Sequence, residues 1–169
     1  MISIISTNVN TIGNVSNTIK NYIGPGTAQL SQAKETLVDR SDSETLHESE
    51  KIKDEISIES EDTIVALAKT RIKLELLLRK ILGKRIKSAS EASENIKYMS
   101  FGQLYRRFLK EYADYANLER SFAYVGQICN AAIHAQRVSE DQASEALDLG
   151  ARLIAILNKI VKDQENSLD

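Results

Sequence analysis

Between Asp114 and Arg137 the apolar residues Tyr115, Leu118, Phe122, Val125, Cys129 and Ala132 return at alternating steps of three and four. That rhythm draws a seam along one side of an amphipathic helix and is incompatible with the two-residue alternation of a half-buried strand. The stretch therefore predicts a helix over 114–137, around which the other elements pack. Near its end the run CNAAIH sets Asn130 and His134 four residues apart, one turn above each other beside the seam. Similar spacings recur along much of the chain. With one proline, Pro25, no tryptophan and 5% aromatic residues, the composition agrees with an all-α protein.

At 169 residues the chain is long enough to bury a real core in one domain with an added arm. The lone Cys129 cannot form an internal disulfide and matches no zinc spacing. No apolar run is long enough to span a membrane, and the first residues lack the basic leader of a secretory signal, so the cytoplasm is expected. No Gly-rich phosphate loop and no HExxH pattern occurs, and no cofactor or metal is expected.

The net charge of −2 conceals segregation. Residues 34–62 carry 11 acidic against 4 basic residues, and residues 63–110 carry 12 basic against 3 acidic. Solvated helix faces would account for most of this. Otherwise it marks a basic surface for a polyanion, or an acidic arm lying on a basic helix.

Residues 1–26 form an expected association segment. Ile5, Val9, Ile12, Ile19 and Ile23 follow Ile2 on a near-heptad stripe, whose other face is almost all Ser, Thr and Asn. Such residues compete for backbone hydrogen bonds and form poor helices alone, so the stripe needs a partner. A second chain, the bundle or a membrane surface would serve, though an uncharged polar face attracts anionic lipid weakly. Residues 27–61 read as an acidic linker or solvated helix, and residues 62–169 as the compact bundle.

Asp62 is placed to cap a helix from Thr63 to Gly83. On its wheel Lys69, Lys73, Lys80 and Lys84 share one face, while Ile64, Leu67, Ala68, Ile72, Leu74, Leu78, Ile81 and Leu82 take the opposite arc. Arg71, Glu75 and Arg79 lie within that arc at four-residue steps. They read as an intrahelical ladder, or as arginines aimed at Asn130 and His134 to hold an anion. The connection 83–100 reads as a basic loop. Ser100 then caps a short helix with Leu104, Tyr105, Phe108, Leu109 and Tyr112 inward, and Arg106 and Arg107 outward. Basic residues interleaved with tyrosines suit RNA, although aromatics at helical spacing more often fill cores. Ser139 with Gln142 predicts a capping box for the last helix, where Ala143, Ala146 and Gly150 permit a close crossing.

The order RIKLELLLRKIL, SFGQLYRRFL, CNAAIHA and VSEDQASEALDLGARLIAILNKI resembles the HEPN superfamily, especially its bacterial HEPN-like domains of unknown function. The resemblance covers about residues 62–162. It implies a four- to five-helix bundle, here with an N-terminal helical or partly disordered extension, that commonly forms a homodimer. It also implies a bacterial defence or toxin–antitoxin setting. In its ribonuclease members an Arg, a polar residue, three residues and a His meet across the dimer to cleave RNA without metal. Carried onto this sequence, Asn130 is the polar residue and His134 the histidine, but Cys129 stands where the arginine should be. A histidine can move the protons of 2′-hydroxyl attack, and a guanidinium stabilises the charge developing on the phosphorane. Cys129 cannot supply that charge. The resemblance therefore implies a catalytically degenerate module working through a partner protein, with RNA a further ligand class. The alternative is a metal-independent ribonuclease using His134, Asn130 and Arg137 or Arg71.

Overall fold

The computed structural model describes residues 26–38, 42–60, 62–86 and 96–166; the expected association segment, with Ile5, Val9, Ile12, Ile19 and Ile23, lies outside them. Six α-helices follow in order among the described residues: α1 Thr27–Val38, α2 Ser43–Ile58, α3 Thr63–Ile86, α4 Phe101–Glu111, α5 Glu119–Ile133 and α6 Glu140–Asn166. A 3-10 turn, Ala113–Leu118, joins α4 to α5. No strand occurs among the described residues, and no helix there is long and apolar enough to cross a membrane.

The sequence reading centred the bundle on the 114–137 helix, but the centre is α6. Leu149, Gly150, Ala151, Leu153, Ile154, Ala155, Ile156 and Leu157 are all buried, so its middle is enclosed on all sides but the edge where Asp148 and Arg152 pair, 32% and 28% exposed. A surface helix hides one stripe; only a helix packed all round hides consecutive residues. α6 touches α1, α2, α3 and α5. Its start is the expected capping box: Ser139 Oγ accepts from Gln142 N at 3.1 Å, and Gln142 Oε1 accepts from Ser139 N at 3.1 Å. The Ser100–Gln103 box at α4 is likewise present. Asp62 caps α3 by accepting from Val65 N at 2.8 Å.

The stretch 27–61, read as a linker or solvated helix, instead lends two helices to the bundle. α1 buries Ala33 and Leu37, and α2 buries Thr45, Ser49, Ile52 and Ile56. Those α2 positions step by four, three and four, so the stripe exists once small hydroxyl residues are counted as inward. Ser49 can be inward because its hydroxyl donates to its own helix at Leu46 O, 2.7 Å away.

α3 runs through Gly83 to Ile86, beyond the expected end. Its expected apolar arc divides: Leu67, Leu74, Leu78, Ile81 and Leu82 are buried, but Ile64 and Ile72 are more than half exposed. The buried side is rotated toward α6, and Ala66 and Thr70 take inward places that the wheel assigned to neither face.

α5 begins at Glu119 and ends sooner than the sequence reading placed it. Ala135 adopts φ 54°, the left-handed region usually reserved for glycine. Gln136 N donates back to Ala131 O at 2.9 Å and Ala135 N to Ala132 O at 3.1 Å. This pair of reverse bonds closes a helix C-terminus. With an alanine where a glycine would announce the stop, the end was invisible in the sequence.

Candidate functional site

Helix packing brings α3 beside the C-terminal half of α5, and Arg71 bridges them. Its Nε donates to Glu75 Oε1 at 3.0 Å, and its Nη1 donates to Asn130 Oδ1. Glu75 in turn accepts from Arg79 Nη1 at 3.0 Å through its second oxygen. Arg79 Nη2 donates to Met99 O at 3.0 Å and so ties the entry of α4 to α3. The ladder and the reach toward Asn130, weighed as alternatives, coexist. The arrangement satisfies three charges on a half-buried surface, as such charges require.

Cys129 sits next to Asn130 but turns the other way. It is fully buried, and burial pushes its thiol up to about 12, against a smaller opposing effect of Arg71. It is therefore neutral and packed among apolar neighbours.

His134 occupies the C-cap of α5 with φ −89°, outside the helix proper. Its backbone N–H still reaches Asn130 O at 3.0 Å, while its side chain lies on the exposed surface. The helix expected to run to Arg137 stops short of it. The left-handed Ala135 reverses the chain, and Arg137 is an exposed residue of the connection to α6.

The basic row of α3 is engaged by acids of the bundle. Lys69 pairs with Glu59 at 3.6 Å, Lys73 with Glu55 at 3.2 Å and Lys80 with Glu165 at 3.1 Å. Of the readings weighed for the segregated charge, the acidic arm against a basic helix fits this geometry. Lys84 belongs to α3, but its side chain lies outside the described residues. Arg106 is exposed, with its guanidinium carbon 5.7 Å from the Tyr105 ring centre. Tyr105 itself is buried, stacked on Phe122 with centroids 5.6 Å apart, so that ring serves the core.

Two surface features escaped the sequence reading. A shallow cleft of about 160 Å³ between α1 and α5 is lined by Gln29, Gln32, Arg120, Ala123, Tyr124 and Gln127. The other is an apolar row on α3, where Val65, Ile72 and Leu76 are exposed. Among the described residues no three of His, Cys, Asp or Glu gather as a metal site would require. No family model matches the chain, and neither a curated protein nor a solved structure matches it.

Proposed function

We propose that this chain is a HEPN-like helical module that has lost catalysis, forms a homodimer and acts by binding a partner protein. Cys129 carries the reading: the position of the resemblance's arginine holds a neutral thiol sealed in the core. Phosphoryl chemistry at that place lacks the cation that would stabilise its transition state. The guanidinium nearest by bonding, Arg71, is shared between Glu75 and Asn130. The pairing of Lys69, Lys73 and Lys80 with acids supports protein, rather than RNA, as the principal ligand class. A bacterial defence or toxin–antitoxin pair remains the proposed setting, on the resemblance alone.

A second reading rests on one observation. Because Arg71 does meet Asn130, a rearranged site with His134 as the proton-transfer group, Asn130 orienting and Arg71 binding phosphate would form a metal-independent ribonuclease. Incubating purified chain with mixed RNA in EDTA, beside His134→Ala, separates the two. The binding module predicts no cleavage that depends on His134. Cleavage lost in the variant would sink it in favour of the ribonuclease. Light scattering tests the dimer, which should weigh twice the 18.9 kDa of one chain.

A further inference from the structure

The cleft between α1 and α5 has walls that the packing fixes. Arg120, Ala123, Tyr124 and Gln127 follow one side of α5 at steps of three, one and three, and Gln29 and Gln32 line it from α1. Ser121, fully buried next to Arg120 in the chain, donates through Oγ to Ala33 O at 2.7 Å. The hydroxyls of Ser121 and Thr36 meet at 2.8 Å. α1 and α5 are thus bonded to each other beside the cleft, and a cleft held in this way need not be ordered by its occupant.

Two polar groups of the lining lack partners. Tyr124 is only 3% exposed, yet its hydroxyl makes no hydrogen bond among the described residues. A tyrosine so enclosed ordinarily finds an acceptor. Burial first, and then the negative charge of Glu145, raise its pKa, so the hydroxyl stays protonated and able to donate. Arg120 is exposed and forms no ion pair among the described residues. Glu145 is itself paired with Lys34 of α1 at 2.7 Å, which leaves the Arg120 guanidinium as the uncompensated charge of the lining.

Size and charge define what fits. The volume of about 160 Å³ falls short of the roughly 300–1,000 Å³ of a site that encloses a whole small molecule, so an occupant enters by one group and keeps the rest outside. One guanidinium matches a singly charged carboxylate, which it can meet with two parallel hydrogen bonds, whereas a phosphate carries nearly twice the charge. Each carboxamide of Gln29, Gln32 and Gln127 both donates and accepts, as the alternating N–H and C=O groups of an extended main chain require. Ala123 and the Tyr124 ring add apolar surface between these polar groups.

We propose that the α1–α5 cleft docks a carboxylate of a partner protein, from an acidic side chain or a chain end, on the Arg120 guanidinium and the Tyr124 hydroxyl, while Gln29, Gln32 and Gln127 bond the adjoining main chain. This rests on the reading of the chain as a protein-binding module and gives that partner a chemistry.

An NMR titration of the full chain tests this, following the side-chain amides of Gln29, Gln32 and Gln127. The probes are acetyl-Ala-Glu-Ala-amide, acetyl-Ala-Ala-Ala with a free carboxylate end, the uncharged acetyl-Ala-Gln-Ala-amide, and sodium acetate. At least one carboxylate peptide should bind saturably and about tenfold tighter than the uncharged one, and the tighter of the two identifies the source. Arg120→Gln should erase that preference. Tyr124→Phe, which removes only the oxygen, should weaken binding about threefold with the thermal midpoint unchanged. No saturable shift, equal binding of charged and uncharged peptides, or wild-type binding by both variants would overturn the proposal. Acetate binding as tightly as the peptides would give the cleft to a small free anion and overturn it as well. The RNA assay is read separately: peptide binding by a chain that cleaves RNA keeps the cleft and discards only the binding-module reading.

Discussion

The Cγ2 methyl of Thr70 occupies the space that a side chain at Gly150 would need, so α3 and α6 touch nearly backbone to backbone at that level. Thr70 is held in place by its hydroxyl, which donates to Ala66 O at 2.9 Å. Gly150→Ala should therefore lower stability by about 1–3 kcal/mol through overpacking, despite the better helix propensity of alanine. Adding Thr70→Ser, which removes only the methyl, should recover part of that loss. Urea unfolding of the single and double variants gives the coupling directly. A neutral Gly150→Ala would mean the crossing is looser than the geometry says.

Ala135 bears the strain of ending α5 in the left-handed region. Ala135→Gly should stabilise the chain by about 0.5–1 kcal/mol, the opposite of the usual effect of adding a glycine. Thermal unfolding would show it as a modest rise in midpoint. A fall would contradict the reverse-bonded helix end.

Glu75 joins two arginines from a site only 19% exposed, whereas Lys80 and Glu165 are each about half exposed. Glu75→Ala should cost about 1–3 kcal/mol, since it leaves two guanidinium groups with fewer acceptors. Lys80→Ala should change stability by no more than about 0.5 kcal/mol. Comparable losses from both would show that the ladder has no special weight.

Asp42 caps α2 by accepting from Thr45 N at 2.8 Å, and meets Lys159 of α6 at 2.7 Å. The Lys159 contact first, then the Thr45 bonds, hold its carboxyl well below the usual carboxylate range. A depressed folded value means this contribution is complete above the unfolded value, about 4, and is lost as the pH falls through and below it. Asp42→Ala should therefore melt lower than wild type at neutral pH, and the two curves should converge in acid. A gap that persists unchanged below about pH 2 would contradict the linkage.

Cys129 should resist alkylation in the native chain, because burial both blocks access and keeps the thiol protonated across the neutral range. In urea it should react as an ordinary cysteine. Rapid labelling of folded protein, followed by mass spectrometry, would remove the argument that position 129 is sealed.

Helix type and several boundaries were legible in the sequence because they depend on neighbours a few residues away. The spacing of Leu153, Ile154, Leu157, Ile160 and Val161, the cap at Ser100 and the box at Ser139 are local facts, and the structure reproduces them. The stop at Ala135 was not legible, since alanine reaches the left-handed region only where reverse hydrogen bonds and packing offset the strain. Nor was the inward turn of Thr45 and Ser49, whose types usually belong outside.

Local periodicity thus determined that this chain is helical and which residues are apolar on each helix. Only tertiary packing decided which part of the broad apolar arc of α3 is hidden, because a wheel cannot say where α6 will lie. The same packing joined Arg71 to Asn130 across 59 positions of sequence and left Ile72, one residue on, facing out. Contacts between distant residues follow from how helices cross, and that is settled by the whole core at once.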